Sequence, residues 1–190
     1  MLRKLNQPLI DRFLFLYKFV QSPSSIGSIT PSSSVLAKKM MGNLPWDSID
    51  AIVELGAGTG VFTRYIFKHK KPSCKAIIIE KDVQLLESLI ATYPLFHFDC
   101  DAEKLDRVLQ ELNIPEVDCI ISGLPFAVFS SKLRKRILLA IERSLKPGGQ
   151  FIAFQYTLQM KNTLEQCFDE MNLSFVPFNL PPAFVYHCKK

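Results

Sequence analysis

Three glycines at alternate positions, Gly56, Gly58 and Gly60, form the centre of the segment VELGAGTGVF, residues 53–62. They follow the apolar run AIVEL and precede a segment with helical periodicity. A glycine-rich turn between a strand and a helix lets the backbone approach a ligand closely, and it often holds a nucleotide-containing cofactor. The segment therefore predicts a cofactor site, and its spacing distinguishes between cofactors.

The spacing of these glycines argues against two phosphate-binding motifs. A dinucleotide fingerprint, G-x-G-x-x-G, needs its third glycine or alanine at position 61, where this chain has Val61. The turn also lacks the G-K-[ST] ending of a P-loop. The pattern E-x-G-x-G-x-G, which begins at Glu54, instead resembles that of S-adenosylmethionine-dependent methyltransferases of the Rossmann-like class.

That resemblance implies contacts for the residues of the turn and of the next strand. S-adenosylmethionine has no phosphate, so the turn must bring bare backbone close to a ribose and a methionine tail. The residues expected to do so are Gly56, Ala57, Gly58 and Gly60. Glu54 is expected to face the ammonium group of the cofactor, often through water. Glu80, twenty residues after Gly60, is expected to accept the ribose hydroxyls, with Lys81 beside it.

A third acid follows the short apolar stretch LFHF. Asp101 and Ala102 stand where a helix is predicted to begin. In the methyltransferase family an acid at this point takes the adenine amino group, and the next backbone N–H meets the ring. The three features occur in order, each at a predicted strand end, and together they predict a complete cofactor site.

The segment IISGLPF supplies the candidate reacting loop, Ser122–Phe126. Ligands of an open α/β sheet lie beyond the carboxyl ends of its strands, so this loop is expected to face the transferred methyl group. It resembles the N-L-P-Y loop of amino-methyltransferases, with Ser122-Gly123 in place of the leading Asn. The amide that would bind a planar base edge is therefore missing, whereas Phe126 is expected to wall the methyl-transfer site. The candidate catalytic residues are Ser122, Gly123, Leu124, Pro125 and Phe126, and Ser122 is also assigned to the cofactor.

Four segments extend the resemblance over nearly the whole chain: IGSITPSSSVLAKKM, IISGLPF, LKPGGQFIAFQYT and NLPPAFVY. Together they resemble the small bacterial phospholipid N-methyltransferases, which methylate phosphatidylethanolamine. The residues after Pro125, FAVFSS, lack a further proline of that family's loop. By the resemblance, Ser32 and Ser33 cover the methionine end of the cofactor. By local chemistry alone, the proline and hydroxyl groups of TPSSS favour the start of a helix. The cofactor contact and the helix start are compatible interpretations.

Hydrophobic periodicity predicts the elements that carry these residues. Strongly apolar runs buried on both faces are typical of parallel strands. The predicted strands are AIVEL (51–55), AIIIE (76–80), CIIS (119–122) and GQFIAFQY (149–156), with LFHF, LSFVPF and AFVYHC as shorter ones. The predicted helices span about 60–70, 82–92, 102–112, 131–145 and 160–171. This alternation predicts an α/β fold, and the resemblance makes it a Rossmann-like class I methyltransferase with a mostly parallel seven-stranded sheet flanked by helices.

Composition is that of an ordinary globular protein. The chain has 190 residues, 48% hydrophobic and 22% charged, with a net charge of +5. We expect one methyltransferase domain over 1–190, with an N-terminal helical, cofactor-covering segment (1–31) and a Rossmann-like core (32–190). Five scattered cysteines without a C-x-x-C pair predict reduced thiols in a cytoplasmic protein and no metal site.

The N-terminal segment MLRKLNQPLIDRFLFLYKFV, residues 1–20, predicts an amphipathic helix. Its apolar side includes Leu9, Phe13, Leu16 and Val20, and its cations outnumber the single Asp11. No apolar run is long enough to cross a bilayer. We therefore expect this helix to bind an anionic membrane surface at the inner face of the membrane, or to cover the cofactor cleft as a lid.

The predicted reaction is the in-line attack of a neutral amine on the sulfonium methyl, with phosphatidylethanolamine as the preferred acceptor. His97, Asp99 and Tyr17 are conceivable proton acceptors, but none is assigned as a base. An alternative is an adenine-N6 methyltransferase of the ribosomal-RNA kind, using the basic residues at 68–71 and 132–136. A cofactor-binding, membrane-associated module without turnover is a third hypothesis.

Overall fold

A computed structural model describes the chain from Pro31 to Lys190, with side chains described from Ser34 onward. The strands are β1 (Ala51–Leu55), β2 (Lys75–Ile79), β3 (His97–Asp99), β4 (Val117–Ser122), β5 (Leu145–Gln155), β6 (Glu170–Val176) and β7 (Ala183–Lys189). The helices are α1 (Pro31–Met41), α2 (Val61–His69), α3 (Val83–Thr92), α4 (Leu105–Glu111), α5 (Ser131–Ser144) and α6 (Lys161–Cys167). The predicted N-terminal helix of residues 1–20 and Tyr17 lie outside the described residues.

The seven strands form one sheet in the order β3-β2-β1-β4-β5-β7-β6. Strands β1 to β5 pair in parallel, whereas β7 is antiparallel to both β5 and β6. The predicted mostly parallel sheet is confirmed. Because β6 runs in the same direction as β5, the turn from β6 to β7 lies at the carboxyl edge of the sheet, with the ends of β1 to β5.

Successive residues of a strand point to opposite faces, and each face of this sheet carries its own apolar core. Val53, Ile120 and Phe151 pack with helices α4, α5 and α6. Ile52, Ile121 and Ile152, their neighbours in sequence, pack with α1, α2 and α3. Helices therefore cover both sides of the sheet. Because both faces of these strands are buried, their sequences are continuous apolar runs.

Several predicted boundaries are wrong. The strand predicted as LSFVPF (173–178) spans Glu170–Val176, and the helix predicted over 102–112 begins at Leu105, after a 3-10 turn. In two further cases strand pairing overrides the local pattern. The helix predicted over 160–171 ends at Cys167, because Glu170 already pairs with Lys189 across β6 and β7. The strand predicted to begin at Gly149 begins at Leu145, which pairs with Val117 before the register shifts. Neither change moves a residue of the predicted site.

Candidate functional site

The glycine turn follows β1 at the carboxyl edge of the sheet. Gly56, Gly58 and Gly60 have φ values of 74°, 57° and 80°. Residues with a side chain rarely adopt this left-handed region, so the three glycines are required by the path of the backbone. The N–H groups of Gly56 and Ala57 donate to the carbonyl of Ile79 at 2.7 and 3.3 Å, which holds the turn against the end of β2.

Glu80 follows β2 and is buried beside this turn. Its Oε2 accepts the N–H of Gly58 at 2.7 Å, and its Oε1 accepts the N–H of Asp82 at 2.9 Å. An ionised carboxylate has about four lone-pair sites, so two N–H donors leave capacity for further donors. The arrangement fits the predicted contact with ribose hydroxyls and shows a second role, since Glu80 also fixes the glycine turn.

Glu54 is fully buried at the end of β1. Its Oε2 accepts the hydroxyl of Thr63 at 2.7 Å, while its Oε1 has no hydrogen-bond partner among the described residues. Burial raises the pKa of Glu54 to about 8; hydrogen bonds from Thr63 oppose the shift, and the charge of Glu80 adds to it. A buried acid with an open oxygen favours a cationic ligand, which fits the predicted ammonium group.

Asp101 and Ala102 stand after β3, where a short 3-10 turn, Ala102–Lys104, precedes α4. Asp101 caps this turn: its Oδ1 accepts the N–H of Glu103 at 3.0 Å, and its Oδ2 pairs with the ammonium of Lys104 at 2.9 Å. The bond from Lys104 is the main cause that lowers the pKa of Asp101, and the charge of exposed Lys81 contributes. Both predicted residues thus lie at the carboxyl edge, near the β2 end.

The predicted reacting loop lies directly on the glycine turn. Leu55 pairs with Ser122 across β1 and β4, so the next residues, Gly56 and Gly123, emerge side by side. A Cβ added to Gly123 would lie 2.7 Å from the carbonyl oxygen of Gly56, and one added to Gly56 would lie 2.9 Å from Cδ2 of Leu124. Two motifs more than sixty residues apart in sequence therefore form one surface.

Two side chains that were not predicted from the sequence hold this loop. Nε2 of Gln155, at the end of β5, donates to the carbonyl of Leu124 at 2.9 Å and to that of Phe154 at 2.6 Å. Arg134 donates from Nε to the carbonyl of Phe126 at 3.1 Å and from Nη2 to that of Phe129 at 3.2 Å. The available signal for Gln155 was a polar residue at the end of the apolar strand FIAFQ.

Phe126 differs from its expected position. Its ring is buried and packs edge-on against Phe129 and Phe151, at centroid distances of 5.9 and 6.4 Å. These rings belong to the core between the sheet and helices α4 to α6. The aromatic group therefore supports the loop from the core, and the expectation that it walls the methyl-transfer site is not met.

Two of the conceivable proton acceptors, His97 and Asp99, lie away from the loop after β4. His97 is exposed, and Asp99 uses its Oδ1 to accept the N–H of Asp101 at 2.9 Å. Both are in β3, an edge strand of the sheet, and the strands β2 and β1 separate β3 from β4. The structure does not bring either residue to the reacting loop.

The basic segments considered for RNA have intramolecular partners in part. In 132–136, Arg134 binds the loop carbonyls and Arg136 pairs with Glu103. In 68–71, Lys71 pairs with Asp50 at 2.7 Å. In the same segment, partly buried Lys70 donates to the carbonyl of Cys74 at 2.9 Å. Lys68, Lys132 and Lys135 are exposed.

This chain is similar to known methyltransferases in sequence. The family described as methyltransferase small domain matches residues 23–175. Ornithine lipid N-methyltransferase from Singulisphaera acidiphila is 34% identical over 184 residues, which cover 94% of this chain and 96% of that protein. Ribosomal RNA small subunit methyltransferase A from Thermotoga maritima is 22% identical over 178 residues, covering 86% of this chain and 62% of that protein.

Among solved structures, the 1,6-didemethyltoxoflavin-N1-methyltransferase from Burkholderia thailandensis is similar, with a TM-score of 0.65. It is 13% identical, and the match covers 96% of this chain and 87% of that one. That structure contains S-adenosylhomocysteine and 1,6-didemethyltoxoflavin. At this identity the likeness concerns the fold.

Proposed function

This chain belongs to the methyltransferase small-domain family of S-adenosylmethionine-dependent enzymes, and from that premise we propose that it methylates an amine carried by a membrane lipid. The predictions of a class I methyltransferase and of S-adenosylmethionine as cofactor are confirmed. The cofactor supplies an electrophilic methyl group on a sulfonium sulfur. The identity of the acceptor rests on the reacting loop and on the relative with the lipid substrate.

In the proposed cofactor site, each group of S-adenosylmethionine has a residue of suitable chemistry to bind it. The backbone of Gly56–Gly60 approaches the ribose and methionine parts, and Glu80 accepts ribose hydroxyls beside the N–H of Gly58. The open oxygen of Glu54 attracts the ammonium group. Asp101 and Ala102 meet the adenine, with Lys81 nearby. Ser32 and Ser33 cover the methionine end; they belong to α1, and their side chains lie outside the described part of the chain.

One observation carries the choice of acceptor: the loop on the glycine turn has no amide side chain. Amino-methyltransferases that act on planar bases have an Asn where this chain has Ser122-Gly123. The Leu124 carbonyl is already bonded by Gln155 and by the N–H of Phe126, both at 2.9 Å. A loop built this way holds a flexible headgroup amine more readily than a base edge. The 34% identity to the ornithine lipid enzyme along nearly both chains supports the same choice.

The acceptor we propose is a primary amine on a lipid headgroup. Phosphatidylethanolamine and ornithine lipid both carry such an amine. The amine attacks the methyl carbon as its neutral form, the bond from carbon to sulfur breaks, and the positive charge moves from sulfur to nitrogen. The residues of this chain contribute by orienting the amine above the glycine turn and by excluding water from the cleft.

We propose that the enzyme works in the cytoplasm, at the inner face of the membrane. None of the described helices is both long and apolar enough to cross a bilayer. Residues 1–20 would bind the anionic surface through Arg3, Lys4, Arg12 and Lys18 and insert their apolar side. Deletion of this segment should reduce sedimentation with anionic vesicles while cofactor binding remains measurable.

Transfer of labelled methyl from S-adenosylmethionine tests the acceptor class. The purified chain is offered phosphatidylethanolamine, ornithine lipid and unmodified ribosomal RNA in parallel. We expect label in one or both lipids, and their ratio identifies the preferred headgroup. Label in RNA alone, recovered as N6-methyladenine, would refute the lipid assignment and leave the cofactor site standing.

A further inference from the structure

The turn between β6 and β7 has the sequence PFNLPP, residues 177–182, and contains no charged residue. It connects Val176 to Ala183, which pair with each other at the ends of their strands. Because β6 runs parallel to β5, this turn projects from the carboxyl edge of the sheet. The glycine turn and the loop after β4 lie at the same edge.

The turn is held in a defined shape. Asn179 is buried, its Nδ2 donates to the carbonyl of Pro181 at 2.7 Å, and its N–H donates to the carbonyl of Val176 at 3.4 Å. Two large apolar side chains nevertheless point outward: Phe178 is 84% exposed and Leu180 is 76% exposed. Burying the polar Asn179 while exposing its two apolar neighbours reverses the usual arrangement of a soluble surface.

Further apolar groups surround this turn. Leu158 follows the end of β5, and the ring of Phe175, near the end of β6, packs at a tilt against that of Phe184 in β7, with the centroids 5.1 Å apart. Both Leu158 and Phe175 are exposed. Exposed Lys132 and Lys161 stand at the starts of α5 and α6, the helices that follow β4 and β5. A bilayer surface has acyl chains below a layer of phosphates. The apolar side chains of the turn suit the acyl chains, and the two lysines suit the phosphates.

We propose that the 177–182 turn inserts Phe178 and Leu180 into the membrane and so docks the methyl-transfer edge on the bilayer surface. The choice of a bilayer as partner rests on the proposed function. Docking by this edge turns the loop Ser122–Phe126 toward the headgroup layer, so an amine reaches it while its acyl chains stay in the membrane. The turn is a second contact, distinct from residues 1–20.

Vesicles of phosphatidylcholine with phosphatidylglycerol test the docking, because neither lipid has a primary amine to be methylated. The full chain is compared with the double variant Phe178→Ala, Leu180→Ala. We expect the vesicle partition coefficient of this variant to fall about tenfold or more, since two inserted side chains are truncated. Affinity for S-adenosylhomocysteine should stay unchanged, which shows that the fold is intact.

Leu95→Ala is the matched control. Leu95 is 89% exposed, more than either residue of the turn, but it precedes β3 and therefore lies at the amino edge of the sheet. Its truncation should leave vesicle partition unchanged. An equal loss in Leu95→Ala and in the double variant would overturn the proposal, because general surface hydrophobicity would then explain the binding.

A variant with an added tryptophan tests insertion directly, without relying on a loss of vesicle affinity. In Phe178→Trp, brominated acyl chains should quench the added tryptophan fluorescence after the wild-type signal of Trp46 is subtracted. Absence of quenching in vesicle-bound protein would overturn the proposal. Methyl transfer to lipid is assayed separately in detergent micelles, so a failure of the proposed function is distinguished from a failure of docking.

Discussion

The side-chain amide of Gln155 connects the end of β5 to the loop after β4 through its bond to the carbonyl of Leu124, 2.9 Å from Nε2. The same nitrogen donates to the carbonyl of Phe154, so both amide hydrogens are used. Gln155 is buried, and its geometry is therefore fixed by these partners. We propose that it positions this loop, Ser122–Phe126, for methyl transfer.

Gln155→Leu removes both donors while keeping the side-chain size similar. We expect kcat to fall between about tenfold and a hundredfold, because a displaced loop no longer aligns the amine. Two partly buried carbonyls lose a donor, so the free energy of unfolding should fall by about 1–3 kcal/mol. Steady-state kinetics, calorimetric affinity for S-adenosylhomocysteine and thermal unfolding measure the three quantities.

Gln159→Leu, at an exposed position, is the control for this variant and should behave as wild type. A purely structural role for Gln155 would lower stability and leave kcat per folded molecule unchanged. That outcome would remove Gln155 from the account of the reaction.

Gly56→Ala and Gly148→Ala form a matched pair, since the two glycines have φ values of 74° and 76°. Both variants incur the same left-handed strain of about 1–2 kcal/mol. Within the described part of the chain, an added Cβ at Gly148 meets nothing within 4 Å, whereas at Gly56 it meets Leu124 at 2.9 Å. We expect both to lose stability but only Gly56→Ala to lose methyl transfer. Equal activities would show that contact between the turn and the loop is dispensable.

Glu54 predicts a pH dependence of cofactor binding. Its folded-state pKa of about 8 lies above the ordinary 4.5, so its stabilising contribution is complete below 4.5 and is lost as the pH rises to 8. A bound ammonium group favours the ionised form, so cofactor binding should release a proton within this window and tighten with rising pH. Calorimetry in buffers of different ionisation enthalpy measures the released proton.

Glu54→Gln serves as the reference for that experiment, because the ligand's own ammonium still titrates. Proton release and the rise of affinity below pH 8 should both disappear in this variant. Identical pH profiles for wild type and variant would show that Glu54 does not face the cation.

Thr63→Val removes the hydroxyl that donates to Glu54 at 2.7 Å. This hydrogen bond lowers the pKa of Glu54, so its loss should move the midpoint of the affinity profile to higher pH. Thr92→Val, on the exposed side of α3, should leave the midpoint unchanged. A shift to lower pH would contradict the assigned direction of the hydrogen bond's effect.

Site residues could be predicted from the sequence where a local pattern determines their position. The alternating glycines and Glu80 were predicted because a few consecutive residues are enough to indicate a turn at positive φ or an acid at a strand end. Gln155 and Arg134 could not be predicted in this way, since their partners lie 31 and 8 residues away and are backbone carbonyls. The position of Phe126 depends on Phe151, in another strand, and the end of α6 depends on β7.

Methylation of a lipid amine by the purified full chain tests the central claim most directly. A lipid with a free headgroup amine and the same lipid with its amine acetylated are incubated with S-adenosylmethionine in detergent micelles, and the products are identified by mass spectrometry. We expect added methyl groups on the nitrogen of the free-amine lipid, none on the acetylated lipid, and none with Gly56→Ala. Binding of S-adenosylhomocysteine without methylation of any free-amine lipid, or methylation of the acetylated lipid, would contradict it.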